Sequence, residues 1–218
     1  MNLARCVWSF LPRGVRGPLA LLLGAGAIAL AGNFLGAFNI YASLALWPRD
    51  FWRGHVWQAA TYPLLPFGPA DLIFNGFLFA ILGTRLVQVW GRWQFWRFCL
   101  VGALGAAVVK LALSPLNRGG LVGIGGVIYA MLAAWYRLFA NEDVCLMAVC
   151  QTRMKTAILV IAALNIIFGL LSPCGFWNAL AILGGGATGW LYLAAQSRRV
   201  LRQTARQLPS ERIRRLEL

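Results

Sequence analysis

Few side chains in this sequence could do covalent chemistry, and none stands beside the base it would need. Hydrolysis by an activated hydroxyl or thiol requires a base, most often an imidazole, within hydrogen-bond reach. The chain has one histidine, His55. Ser114 and Ser172 fall at turns with no histidine placed to activate them, and Cys99 and Cys174 have no base nearby in sequence. All four read as packing or loop residues. His55 could titrate near neutral pH, but with no second ligand in view it reads as a histidine at a membrane interface. The five cysteines (Cys6, Cys99, Cys145, Cys150 and Cys174) contain no Cys-x-x-Cys, and Cys145 and Cys150 have no histidine beside them. They form neither a zinc set nor a disulfide framework and read as small hydrophobes. No metal and no cofactor is expected. One polar pair remains, Asp71 and Asn75, four apart and so on one face of a helix. Asp71 reads either as a helix N-cap after Gly68-Pro69 or as a contact to an ion, a proton or a partner's arginine. Asn75 reads as a hydrogen bond between helices.

The elements that must position these residues are membrane helices. The 218 residues are 60% hydrophobic and only 12% charged, with a mean hydropathy of +0.70. A soluble domain is nearer half apolar and a quarter charged. The fold class expected is all-α: a polytopic bundle of six spans at 18–46, 69–89, 94–113, 121–139, 156–171 and 176–195. A basic arm at 1–17 precedes this membrane domain (18–196), and a basic amphipathic tail at 197–218 follows it. The first apolar run is too long for a signal h-region and reads as a span. Between the first two spans, Trp47, Trp52, Trp57 and Tyr62 with Pro48, Pro63 and Pro66 describe a loop half-sunk in the interface. Lys110, near the outer end of the third span, is expected to snorkel.

The net charge of +14 is first a topology signal. Six spans place both termini on one side, which then holds sixteen of the basic residues against four on the other. The termini are therefore expected in the cytoplasm, in a bacterial inner membrane. No basic-aromatic motif of a nucleic-acid binder is present.

The most distinctive stretch runs from Gly123 through Ile124, Gly125, Gly126 and Tyr129 to Met131, an apolar helix opening on three glycines. Glycine there admits a second backbone or leaves a small open space. The stretch resembles the nucleophile helix of rhomboid intramembrane serine proteases, Gly-x-Ser-Gly with a tyrosine four positions after the serine. Here Tyr129 keeps that place and Gly125 fills the serine slot. The likeness extends from about Trp52 to Tyr192. The sixth span carries Gly185 and Gly189, matching the family's Gly-xxx-Gly, but Ile182 stands where the base histidine belongs. The second span has Asp71 in place of the family's first histidine and keeps Asn75. Trp52-Arg53 resembles the Trp-Arg of the first rhomboid loop, and Val87 replaces a frequent glutamate.

The resemblance implies a rhomboid-like bundle whose catalytic positions (Gly125, Ile182, Asp71, Asn75) are degenerate. An inactive member of this kind is expected to bind another integral membrane protein, as subunit or adaptor of a membrane complex, while contacting membrane lipid. Candidate partner contacts are Gly32 and Gly36, a small-xxx-small pair on the first span, with Trp93 and Trp96 in an aromatic cluster and Arg198, Arg199 and Arg202 in the tail. That aromatic cluster also fits an interfacial belt. One alternative is a hydrolase of altered chemistry using Asp71 and water. A carrier or channel would need more polar residues than Asp71, Asn75, Gln88, Lys110 and Asn165 supply.

Overall fold

The structure, a computed structural model, describes residues 12–34, 39–113, 119–139, 143–146, 150–153, 156, 158–160, 163 and 175–207. Nearly all of them are helical. Among the described residues, three helices are long and apolar enough to cross a membrane: α1 (Arg13–Phe34), α5 (Pro69–Trp90) and α6 (Arg92–Ala112). Between α1 and α5 come α2 (Asn39–Leu44), α3 (Pro48–Phe51), α4 (Gln58–Thr61) and a 3-10 turn, Tyr62–Leu64. The bundle is completed by α7 (Gly125–Phe139) and α8 (Gly175–Gln207). Two short antiparallel strands, β1 (Asp143–Leu146) and β2 (Cys150–Arg153), pair Asp143 with Arg153 in the stretch between the expected fourth and fifth spans.

The expected boundaries shift in three places. The first span, expected at 18–46, is described as α1 and α2, with 35–38 outside the described residues. Its helix begins at Arg13, inside the expected arm, because Val15 is fully buried in the core. Burial, not charge, sets the start. The fifth span falls mostly outside the described residues, and α7 has only 15 residues against the ~20 a straight crossing needs. The count of six spans is therefore not established. At the other end, α8 runs unbroken across the boundary expected at 196–197.

Local chemistry explains the sharpest turn. Gly91 alone separates α5 from α6, with φ +77 and its N–H bonded to the Val87 carbonyl at 2.8 Å. Its ψ of 171 places it in a region essentially reserved for glycine. The helices then pack through Phe79, Leu82, Leu86, Phe95, Phe98, Ile128 and Met131, all buried. Trp135 joins them and donates its indole N–H to the Leu82 carbonyl at 3.1 Å.

Where α6, α7 and α8 meet, backbones nearly touch. A Cβ added to Gly185 would lie 2.5 Å from the Gly126 carbonyl oxygen and 2.9 Å from that of Gly102. One turn on, Gly189 faces Ala130 in the same way, at 2.8 Å from its Cβ. Only glycine permits this approach, which brings Ile182 of α8 level with the start of α7.

The connecting loop is fixed from within. Leu46 and Leu121 exchange backbone hydrogen bonds of 3.0 and 2.9 Å. The fully buried Gln58 accepts from the Trp47 N–H at 3.1 Å, and Thr61 donates to the Leu44 carbonyl at 2.8 Å.

Candidate functional site

The chain enters α7 through Gly123 (φ +94), whose N–H donates to the Tyr62 carbonyl at 3.1 Å. The Tyr62 hydroxyl in turn donates to the Ala103 carbonyl at 2.8 Å, and burial pushes its ionisation well above the ordinary tyrosine value. Tyr62 thus stays a neutral donor, pinning the loop between α6 and α7. A Cβ on Gly126 would lie 3.4 Å from that hydroxyl.

Gly125 is the first residue of α7, and it faces Ile182. A Cβ at position 125 would lie 3.0 Å from Ile182 Cδ1, 3.2 Å from Cγ1 and 3.4 Å from Cγ2. The fold therefore brings these two positions together, from helices that begin 50 residues apart. What meets there is a glycine and a branched hydrocarbon. No side-chain atom there can donate a hydrogen bond, accept one or carry a proton. His55 lies elsewhere, exposed in the loop with its ring 4.7 Å from that of Trp57.

Asp71 and Asn75 form a local unit. Asn75 Nδ2 donates to Asp71 Oδ1 at 2.7 Å, and the backbone N–H of Phe67 donates to Oδ2 at 3.1 Å. Both carboxylate oxygens are thereby engaged. The expected N-cap position is occupied by Gly68, and Asp71 sits in the first turn, reaching back over it. The bond falls on the N–H of the residue before the N-cap, one position earlier than in a capping box, and the negative charge suits the positive end of the helix. Pro66 ties the same corner to α2, its carbonyl accepting from the Tyr41 hydroxyl at 2.6 Å. A cavity of about 10 Å³ lies between Asp71, Asn75, Leu22, Leu72, Pro66 and Ile124. It is no larger than one water.

Lys110 departs from expectation. It is fully buried rather than snorkelling, and its Nζ donates to Asn178 Oδ1 at 2.8 Å. The ammonium finds a polar partner inside the bundle, so its stem does not have to reach the interface. Asn178 is one turn before Ile182 on the same face of α8. The sequence reading missed Asn178, since nothing local links it to a lysine 68 residues away.

The expected partner contacts are dispersed. Gly32 is half-buried on α1, whereas Gly36 lies outside the described residues. Trp93 is 74% exposed at the start of α6. Trp96 is half-buried, with Gly17 of α1 against its ring (3.7 Å from a Cβ placed there). Arg198 is exposed on α8, and the side chains of Arg199 and Arg202 lie outside the described residues. Among the described residues, no three His, Cys, Asp or Glu side chains cluster as metal ligands would.

No curated protein matches this sequence. The Rhomboid domain family matches residues 53–199, more than half of the chain, from the loop through most of α8. This multi-pass membrane protein belongs to the rhomboid family.

Proposed function

We propose that this rhomboid-family protein is catalytically inactive and serves as a subunit or adaptor for another integral membrane protein. The observation that supports this most is the contact between Gly125 and Ile182. A serine-type mechanism needs a hydroxyl and an imidazole at such a meeting point, and the pair present is inert. A hydrolase of altered chemistry finds little support at Asp71, whose two oxygens already serve a backbone N–H and the Asn75 amide. The glycine crossing of α6, α7 and α8 is kept while the reactive groups are gone. Packing is then the work these glycines still do.

On this reading the exposed face of α1 docks the partner helix. Leu21, Gly24 and Ile28 are exposed along it, with Gly32 half-buried at its end, and nothing lies within 4 Å of a Cβ built on Gly24. Small residues of this kind let a second helix approach closely. The basic asymmetry of sixteen against four favours termini in the cytoplasm of a bacterial cell.

The test has two arms. A fluorophosphonate probe should leave the native chain unlabelled, and Gly125→Ser should stay unlabelled too, since no base faces it. Labelling of the native chain would refute inactivity. Gentle solubilisation of native membranes should yield a stoichiometric companion that is lost when Gly24 and Gly32 become Leu. A bare monomer in several mild detergents would refute the subunit role.

A further inference from the structure

The turn at Gly91 carries an arrangement that neither the inert pair nor partner docking uses. An open concavity of about 670 Å³ is lined there by Trp90, Gly91, Arg92, Trp93, Gln94 and Arg97. Arg92 and Arg97 are both exposed. The Arg92 guanidinium carbon lies 5.6 Å from the centre of the Trp93 ring, a cation–π contact that holds the charge at the rim. Trp90 is fixed edge-on against Phe98 at 5.0 Å, giving the concavity a firm wall. Because Gly91 joins two helices that are each long enough to cross a membrane, this turn lies at a membrane surface.

Two further observations define what the concavity suits. The first is charge. The residues that line the concavity include two arginines and no acid, and Arg16, Arg85, Arg137 and Arg198 share that end of the bundle. The ligand is therefore anionic. The second is the surface leading away from the arginines. Trp93, Arg97, Leu100, Leu104 and Val108 follow one another at helical spacing along α6, and the three aliphatic residues are 53%, 48% and 64% exposed. A cationic concavity at the surface thus continues into an apolar stripe running along the helix into the membrane. A free anion or an acidic peptide has no use for that stripe.

We propose that the Gly91 turn is a binding site for an anionic phospholipid. Arg92 and Arg97 hold its phosphate by charge-assisted hydrogen bonds, Trp93 sits at headgroup depth, and an acyl chain lies along Leu100, Leu104 and Val108. The site is independent of the proposed inactivity.

The experiment uses the full chain purified in mild detergent and exposed to an equimolar mixture of phosphatidylglycerol and phosphatidylcholine. Retained lipid is then counted by native mass spectrometry. Two arginines at an anionic headgroup should favour phosphatidylglycerol roughly tenfold or more. R92Q/R97Q should bring the ratio close to one, while R92K/R97K, which keeps the charge, should retain most of it. Arg137→Gln, a cation at the same end but outside the concavity, should leave the ratio unchanged. A monodisperse sizing profile for each variant separates lost binding from lost folding. Equal retention of both lipids by the native chain would overturn the proposal, as would an equal drop in R137Q. Inorganic phosphate or polyglutamate displacing phosphatidylglycerol at low concentration would also overturn it, by showing that the stripe plays no part.

Discussion

Replacing Gly185 by alanine should destabilise the protein, whereas the same change at the next residue should not. At position 185 the new Cβ would meet three backbone atoms: the Gly126 oxygen at 2.5 Å, the Gly126 Cα at 2.7 Å and the Gly102 oxygen at 2.9 Å. Ordinary van der Waals separation is about 3.5 Å, so the crossing must open by most of an ångström. Backbone cannot swing aside as a side chain can. A gap of that size forfeits roughly a quarter to a half of each dispersion contact along the crossing, and overpacking of this kind costs about 1–3 kcal/mol. At Gly186 the nearest atom to an added Cβ is the Tyr129 oxygen at 3.4 Å, an ordinary contact. Alanine is also the better helix former there, by about 1 kcal/mol. Thermal unfolding in detergent, followed by the loss of a monodisperse sizing peak, should put G185A about 2–12 °C below the native chain. G186A should match or exceed it. If G185A proves as stable as the native chain, or both variants fall together, the backbone contact is not what joins these helices.

Other perturbations test single features. Lys110→Met keeps the buried stem but leaves Asn178 Oδ1 without its ammonium donor, so a loss of about 1.5–3 kcal/mol is expected; adding Asn178→Leu should recover part of it in the same thermal assay. Gly91→Ala meets no atom within 4 Å, so its cost of about 1–3 kcal/mol should be purely conformational. Gly91→Asn should be no milder, which unfolding midpoints would show. Asp71→Ala removes the acceptor of the Phe67 N–H and should cost about 1 kcal/mol. If instead it abolished a measurable turnover without lowering the midpoint, Asp71 would be a catalytic group.

The parts of this architecture that depend on neighbours in sequence were legible before the structure. Gly123 to Gly126 marked the start of a closely packed helix, and Gly185 with Gly189 marked its counterpart. The loop's density of Trp and Pro foretold an irregular segment. Asp71 was placed near a helix start by Gly68-Pro69, and only its slot was misassigned. What escaped depends on distant pairing. Gly102 and Gly105 are two ordinary glycines in an apolar run until α7 and α8 are laid across them. Lys110 near a helix end looks free to snorkel, and only the third dimension supplies Asn178. The length of α8 was misjudged for another reason. The arginines from Arg198 onward suggested a new element, yet no glycine or proline occurs between Gly189 and Pro209 to stop the helix. A change of polarity alone does not end a helix.

That uninterrupted helix has a mechanical meaning. Its 33 residues make a rod of roughly 50 Å, against a hydrocarbon core of ~30 Å. A single unbroken helix has one direction, so the basic stretch from Arg198 to Gln207 continues the line of the buried stretch from Ala179 to Leu193 and does not lie across it as a separate element. The close crossing at Gly185 then acts as a fulcrum with unequal arms. A tilt of about 5° there displaces Gln207 by roughly 3 Å but Ile182 by only about 0.4 Å, given the rise of a helix. The buried Leu193 and the 3.0 Å hydrogen bond from Arg137 to Ser197 brace the longer arm, so a pull on the arginine end loads these contacts before it reaches the one opposite Gly125.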